Sequence, residues 1–217
     1  MVSSTLLDAY YVGRFTPKKH DVKLDHYSDG RRRGQDSPFA AAREQRLKAE
    51  IVRASRDLLV RQGLGGWTIE EVSKQAPCAK GLVIYHFQSR ANLLAETAVV
   101  LRQERIVRRL AALKQDGAAA LDALWSSIHA EVESGEFAAW MALSALPDEP
   151  IHHSLRPTPD EIVQLQSAFA RSLAIENPKS AETLESVLAG FQTALLHDHN
   201  PGVVREVYYQ FWLSLLP

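Results

Sequence analysis

The chain has 217 residues, 46% apolar and 24% charged, with a single cysteine and a formal net charge of −1. A chain of this length can bury a sizeable core and divide it between a small and a larger domain. No run approaches the ~18 consecutive apolar residues of a membrane span, the N-terminus lacks a cationic start followed by an apolar run, and Cys78 alone closes no intramolecular disulfide, so the expectation is a soluble, cytoplasmic protein.

The near-zero net charge hides a division. Residues 1–90 hold 16 Lys+Arg and 10 Asp+Glu, a net of +6, whereas residues 91–217 hold 9 and 16, a net of −7. A basic front on an acidic body suits a protein that presents one end to a polyanion and keeps the other away.

Residues 1–38 show no sustained periodicity and end in GRRRGQDSP, the composition of an arm or linker; Arg31, Arg32 and Arg33 are suited to a minor groove. From Arg43 onward, Leu47, Ile51, Ala54 and Leu58 recur at helical spacing and Gly63 supplies a stop, which predicts a first helix. Thr68 with Glu71 forms a capping box, and Ile69, Val72 and Ala76 give the next, short helix an inner face before Pro77 ends it. A second short helix centred on GLVIYHF turns Val83 and Phe87 inward, one turn apart, and Ser89 caps the helix that follows. Helical periodicity then predicts elements over 90–115, 118–134, 137–146, 159–176, 178–197 and 201–216. Thr158-Pro159, Asn177-Pro178 and Asn200-Pro201 each place a capping residue before a proline at the first helical position, where its missing N–H costs nothing. No strand pattern occurs. The expected fold is all-α, with an arm (1–38), a helix-turn-helix domain (39–90) and a helical ligand-binding and dimerisation body (91–217) joined by a long helix.

The stretch TIEEVSKQAPCAKGLVIYHFQSRANLL, Thr68 to Leu94, resembles the signature of the tetracycline-repressor (TetR) family of transcriptional regulators, with the specific likeness spanning residues 43–94. The Lys80-Gly81 pair, the aromatic run Tyr85-His86-Phe87 and the Ser89-Arg90 cap carry it. That resemblance implies a DNA interface of Thr68, Lys80, Gly81, Leu82, Ile84, Tyr85, His86 and Arg90. Within it Lys80 and Leu82 meet base edges or nearby backbone, Tyr85 and His86 donate to phosphates, and Arg90 faces a phosphate at the start of the fourth helix. The chain departs from the family at Pro77, where glycine is usual, at Ala79, which removes a capping hydroxyl, and at Leu82 and Ile84, which favour thymine-methyl contact over hydrogen-bond readout.

In the body the resemblance implies an effector pocket, for which Trp125, His129, Trp140, Met141 and Phe169 are the candidates. FAAWMALSAL followed by PDEPIHHSLR is weakly similar to the C-terminal domain of betaine-type repressors. The last two helices carry more apolar residues than one face can bury. Phe191, Leu195, Val204, Tyr208, Phe211 and Trp212 are therefore candidates for a homodimer interface, which in the family is a four-helix bundle about a two-fold axis. The expected partners are double-stranded operator DNA, a small-molecule effector and a second copy. No cofactor and no membrane are expected. No phosphate loop, nucleophile elbow or metalloprotease helix is present, so enzyme chemistry is not expected. Cys78 in the turn, the His152-His153 pair and His197-Asp198-His199 leave a thiol- or metal-sensing regulator as one alternative; a helical binder or enzyme with a non-functional DNA motif is the other.

Overall fold

The computed structural model describes residues 38–174, 181–197 and 199–215, and all regular structure among them is α-helical. The arm, with Arg31 to Arg33, the Asn177-Pro178 start and Asp198 lie outside the described residues. Helix α1 (Pro38–Gly66) is broken at Gly63, whose φ of 64° opens the left-handed region to which glycine is suited and makes the expected stop. Helix α2 (Ile69–Gln75) starts where the Thr68 hydroxyl accepts from Glu71 N at 3.1 Å. Only half of the predicted capping box forms there, because the Glu71 carboxylate pairs with Lys74 at 2.7 Å instead of reaching back. Helix α3 (Lys80–Phe87) buries Val83 and Phe87 and, as Ala79 implies, has no side-chain cap.

Ser89 accepts from Asn92 N at 3.0 Å and starts α4 (Arg90–Ala112), which belongs to two cores at once. Its first half, through Leu93, Leu94, Ala98 and Leu101, packs with α1, α2 and α3, while Ile106 and Leu113 pack with the body. Burial of each such side chain contributes about 1.5–3 kcal/mol, so neither core is closed without this helix. The body continues through α5 (Gly117–Glu133), α6 (Glu136–Ser144), α7 (Glu149–Leu155), α8 (Pro159–Leu173), α9 (Ala181–Leu196) and α10 (Pro201–Leu213).

Two features lock α1, and with it the front helices, to the rest of the chain. Gly135 adopts φ 82°, and a Cβ there would stand 2.8 Å from the Val60 carbonyl oxygen, so its bare backbone lets the start of α6 approach α1. Ser55 of α1 and Thr97 of α4 share a buried hydrogen bond of 2.7 Å, and Trp67 donates to Ser55 Oγ at 3.0 Å.

The short α7 is absent from the sequence reading: only Ile151 and Leu155 mark its inner face, too few for periodicity to register, yet both are buried in the front core. The full capping box occurs instead at Thr158-Pro159, where Thr158 and Glu161 satisfy each other's backbone amides. Asn200 accepts from Gly202 N at 2.9 Å and opens α10 as its sequence implied. No helix among the described residues is long and apolar enough to cross a membrane.

Candidate nucleic-acid interface and effector cleft

Helix α3 turns an unusual face to solvent. With Val83 and Phe87 inward, Lys80, Gly81, Leu82, Ile84 and Tyr85 are all exposed, Tyr85 at 73%. A short helix seated on α2 with exposed aliphatic and aromatic side chains has the form of a groove-reading element. No Cβ neighbour lies within 4 Å at Gly81, which leaves its backbone open to close approach. Thr68, at the start of α2, and Arg90, at the start of α4, are exposed beside this face. Arg90 is also positioned: its guanidinium carbon lies 5.2 Å from the centre of the buried Trp67 ring, so it stacks on the indole.

His86 does not share the exposed face. Its side chain is 5% exposed, three residues after Val83 on the inner flank of α3, and its Nδ1 has no hydrogen-bond partner; Glu44 Oε1 lies 3.6 Å away. Burial, and then Lys48, hold its pKa below the ordinary histidine value against the pull of Glu44. The expected phosphate contact at His86 is therefore corrected. The residue lines a cleft of about 460 Å³ between α3, Lys48 of α1, Asn92 of α4 and His153 of α7. Cys78 is half-buried, and burial with the nearby Glu50 carboxylate raises its pKa, the opposite of the activation that thiol sensing requires. His152 and His153 lie exposed on α7, and no group of three or more potential metal ligands converges among the described residues.

Of the five candidate pocket residues, only Trp140 lines the cleft of the body. This cleft, about 340 Å³, runs between α4, α6, α8, α9 and the end of α7 and has Arg102, Arg105, Ile106, Leu155 and Leu165 on its walls. Trp125 and Phe169 are core: Trp125 packs on Tyr208 at 5.3 Å, and Phe169 stacks on Trp212 at 6.0 Å. His129 pairs with Glu133 along the outside of α5, and Met141 is exposed.

A cluster of ion pairs lies beneath the cleft. Arg109, at 0% exposure, donates to Glu131 at 2.8 and 3.1 Å, and its Nε faces Glu185 at 3.2 Å without hydrogen-bond alignment. Against the cost of burial, Glu185 and Glu131 hold Arg109 above its ordinary pKa. Arg105 bonds Glu185 at 3.2 Å and Gln192 at 2.8 Å, and Gln192 in turn donates to Glu131 at 2.7 Å. Arg108 bridges Glu131, at 3.3 Å, to Glu136, at 2.5 Å. Glu136 also binds Arg56 of α1, which pairs with Glu104 at 3.0 Å. Four arginines and four glutamates thus link α1 to α9 through charged contacts.

The candidate dimer residues divide. Leu195, Val204, Tyr208 and Trp212 are buried inside the protomer, with Tyr208 donating to the Leu121 carbonyl at 2.9 Å, so they leave no surface for a second copy. Phe191 and Phe211 are half-buried and meet edge to face at 6.1 Å. What α10 exposes is Val203, Val207 and Leu213, with Leu196 at the end of α9. Helix α10 keeps Val204, Tyr208 and Trp212 inward and turns Val203, Val207 and Leu213 outward, with Phe211 between the two faces.

Residues 51–97 match the profile of bacterial regulatory proteins of the tetR family. This domain belongs to the TetR family. None of the curated proteins matches the chain in sequence. Among solved structures, a regulator assigned to the TetR family from Rhodococcus sp. is similar at 21% identity over 79% of this chain and 98% of its own, with a TM-score of 0.61. The multidrug binding protein EbrR, complexed with imidazole, is similar at 20% identity over 78% and 94%, TM-score 0.57. A transcriptional regulator from Rhodococcus sp. Rha1 is similar at 19% over 77% and 95%, TM-score 0.58. These likenesses extend the TetR-family fold over the body, where the sequence signature stops.

Two features of the chain are not legible in its sequence. One is the stacking of Arg90 on Trp67, for which the sequence offers no signal, since 23 positions separate the two. The other is the ion-pair cluster. RQERIVRR places Arg102, Arg105 and Arg109 on one side of α4, a pattern visible in the sequence, but the acids they meet come from α5, α8 and α9.

Proposed function

We propose that the protein is a homodimeric transcriptional repressor that binds a near-palindromic operator and leaves it when a small, mainly apolar molecule occupies the body cleft. The observation that carries the reading is the exposed face of α3, with Lys80, Leu82, Ile84 and Tyr85 free of any structural task and Arg90 beside it, stacked on Trp67. Lys80 and Leu82 read base edges; Tyr85, Arg90 and Thr68 contact the backbone and set register. The exposed valines of α10 meet those of a second copy and hold two α3 helices about one DNA turn apart. An effector that prefers the arrangement with displaced α3 helices lowers operator affinity by that preference. The test is a mobility shift with DNA from upstream of the protein's own reading frame: a salt-sensitive, saturable complex is expected, and its absence at micromolar protein would overturn the reading.

A further inference from the structure

We propose that the effector of the body cleft is an organic anion, an apolar molecule bearing one carboxylate, which docks against Arg105 and is read at α1 through the ion-pair cluster. This deepens the reading of the chain as an effector-released repressor and rests on it for the DNA step alone.

The walls set the class. Trp140, Leu155 and Leu165 offer apolar surface, and the charged groups are Arg102, which Glu161 pairs at 3.2 Å, with Arg105 and Arg156, facing Glu182 and Glu185. A cleft of about 340 Å³ admits a compact molecule of the size that pockets commonly enclose. Arg105 is the buried charge at its floor, its guanidinium 5.3 Å from the Trp140 ring centre and 5.7 Å from that of Phe137. Burial, and then the neighbouring Arg109, pull the pKa of Arg105 below the ordinary arginine value, whereas Arg109 and Arg56 are raised because their carboxylates prevail. Arg105 shares both of its carboxylates, Glu185 at 3.2 Å and Glu131 at 3.4 Å, with Arg109, so a further anion relieves the crowding of cations there while a cation aggravates it. Guanidinium is also the group best matched to a carboxylate, through two parallel hydrogen bonds.

The same contact reaches the DNA-facing helices. Glu185 is shared by Arg105 and Arg109, Glu131 by Arg105, Arg108 and Arg109, and Glu136 by Arg108 and Arg56. A ligand carboxylate that draws Arg105 from Glu185 shifts the remaining acids along this series, and the last arginine lies on α1, the helix that carries the Ser55 contacts to Thr97 and Trp67. Such a chain of shared partners has two arrangements, with and without the outside anion, and ligand preference between them is the coupling.

The test uses three probes of one shape, 4-tert-butylbenzoate, 4-tert-butylbenzamide and 4-tert-butylbenzylammonium, titrated calorimetrically into the full chain. The acid is expected to bind at least about tenfold more tightly than the amide, or about 1.4 kcal/mol, with no detectable heat from the ammonium. Equal binding of the three, tighter binding of the ammonium, or no binding of the acid at millimolar concentration overturns the assignment. Ser144→Trp, a change at an exposed cleft residue that keeps the core intact, should abolish acid binding; acid affinity unchanged in that folded variant places the site elsewhere. For the relay, Glu136→Gln should bind the acid as the parent does yet no longer be released from DNA by it, and release as in the parent overturns that part. If the parent binds no DNA, the repressor reading fails while the three titrations still decide the anion site.

Discussion

The guanidinium of Arg90 rests 5.2 Å from the centre of the Trp67 ring, which is itself fixed by hydrogen bonds from its Nε1 to Ser55. A stacked arginine loses less side-chain freedom on meeting a phosphate than a free one, so its charge is delivered in a set direction. Arg90→Ala is expected to weaken binding to every DNA sequence alike and to flatten the slope of log affinity against log salt by about one unit. Anisotropy titrations across a salt series on two unrelated duplexes check both statements.

Tyr85 is 73% exposed on α3 and bears none of the core, so Tyr85→Ala should leave unfolding free energy within about 0.5 kcal/mol of the parent. Operator affinity should nevertheless fall by at least about tenfold. A matched pair of denaturation and mobility-shift curves separates a DNA-contact residue from a packing residue. Lys80→Ala, by contrast, should change preference at particular operator positions, as a base-edge contact requires.

Apart from α7, the sequence made the helix order, the caps at Thr68, Ser89, Thr158 and Asn200, and the outward face of α3 legible, because each is set within one or two turns of chain. His86 escaped it for a physical reason: a residue beside an inward anchor sits on the flank of the helix, and only the neighbouring α1 decides whether that flank is wet. The same holds for Trp125 and Phe169, whose apolar character fits a pocket wall and a core equally well, and which the packing of α8 and α10 makes core. Four of the six residues expected at a partner surface, Leu195, Val204, Tyr208 and Trp212, are core instead, because the protomer's own aromatic cluster, Tyr208 with Phe191 and Trp212, draws that side of α10 inward.

Histidine 86 carries a pH dependence whose sign follows from its surroundings. Burial and Lys48 depress its pKa in the folded state below the ordinary 6.5, with Glu44 opposing and with Glu96 and His153 the further titratable groups on the same cleft. The unfolded chain therefore takes up the proton first as pH falls, and stability is lost from about 6.5 downward until the folded state is protonated too. His86→Gln should remove that part of the loss. Denaturation midpoints at about pH 7.5 and about pH 5.5 are expected to lie closer together in the variant than in the parent.

Removing one partner of the buried cluster should be costly. Arg109→Met leaves Glu131 and Glu185 facing a thioether where a guanidinium stood, and a carboxylate so stranded destabilises by about 3–5 kcal/mol. Denaturant unfolding at neutral pH measures it. A loss under about 1 kcal/mol would show that water or a second arginine takes over the acids.

Two residues four apart on α10 distinguish a partner surface from the protomer core. Phe211 is half-buried against Phe191 and Trp212, whereas Val207, one turn earlier on the adjoining and more open flank, is 50% exposed, close to Val203 at 58%. A carboxylate at Phe211 enters the aromatic cluster of the protomer, so Phe211→Glu should lower unfolding free energy by about 2 kcal/mol or more, as an unpaired buried charge does. Val207→Glu places its charge in water in the single chain and meets a cost only where a second copy covers it. The expected result is a folded protein, with helicity and melting close to those of the parent protomer, that sediments as a monomer. It should bind operator DNA at least about a hundredfold more weakly, since one α3 helix alone loses the second half-site. Analytical ultracentrifugation beside a mobility shift reads both quantities. A dimeric Val207→Glu with normal DNA binding would move the interface to another face, and a monomeric variant with undiminished operator affinity would remove the need for two copies altogether.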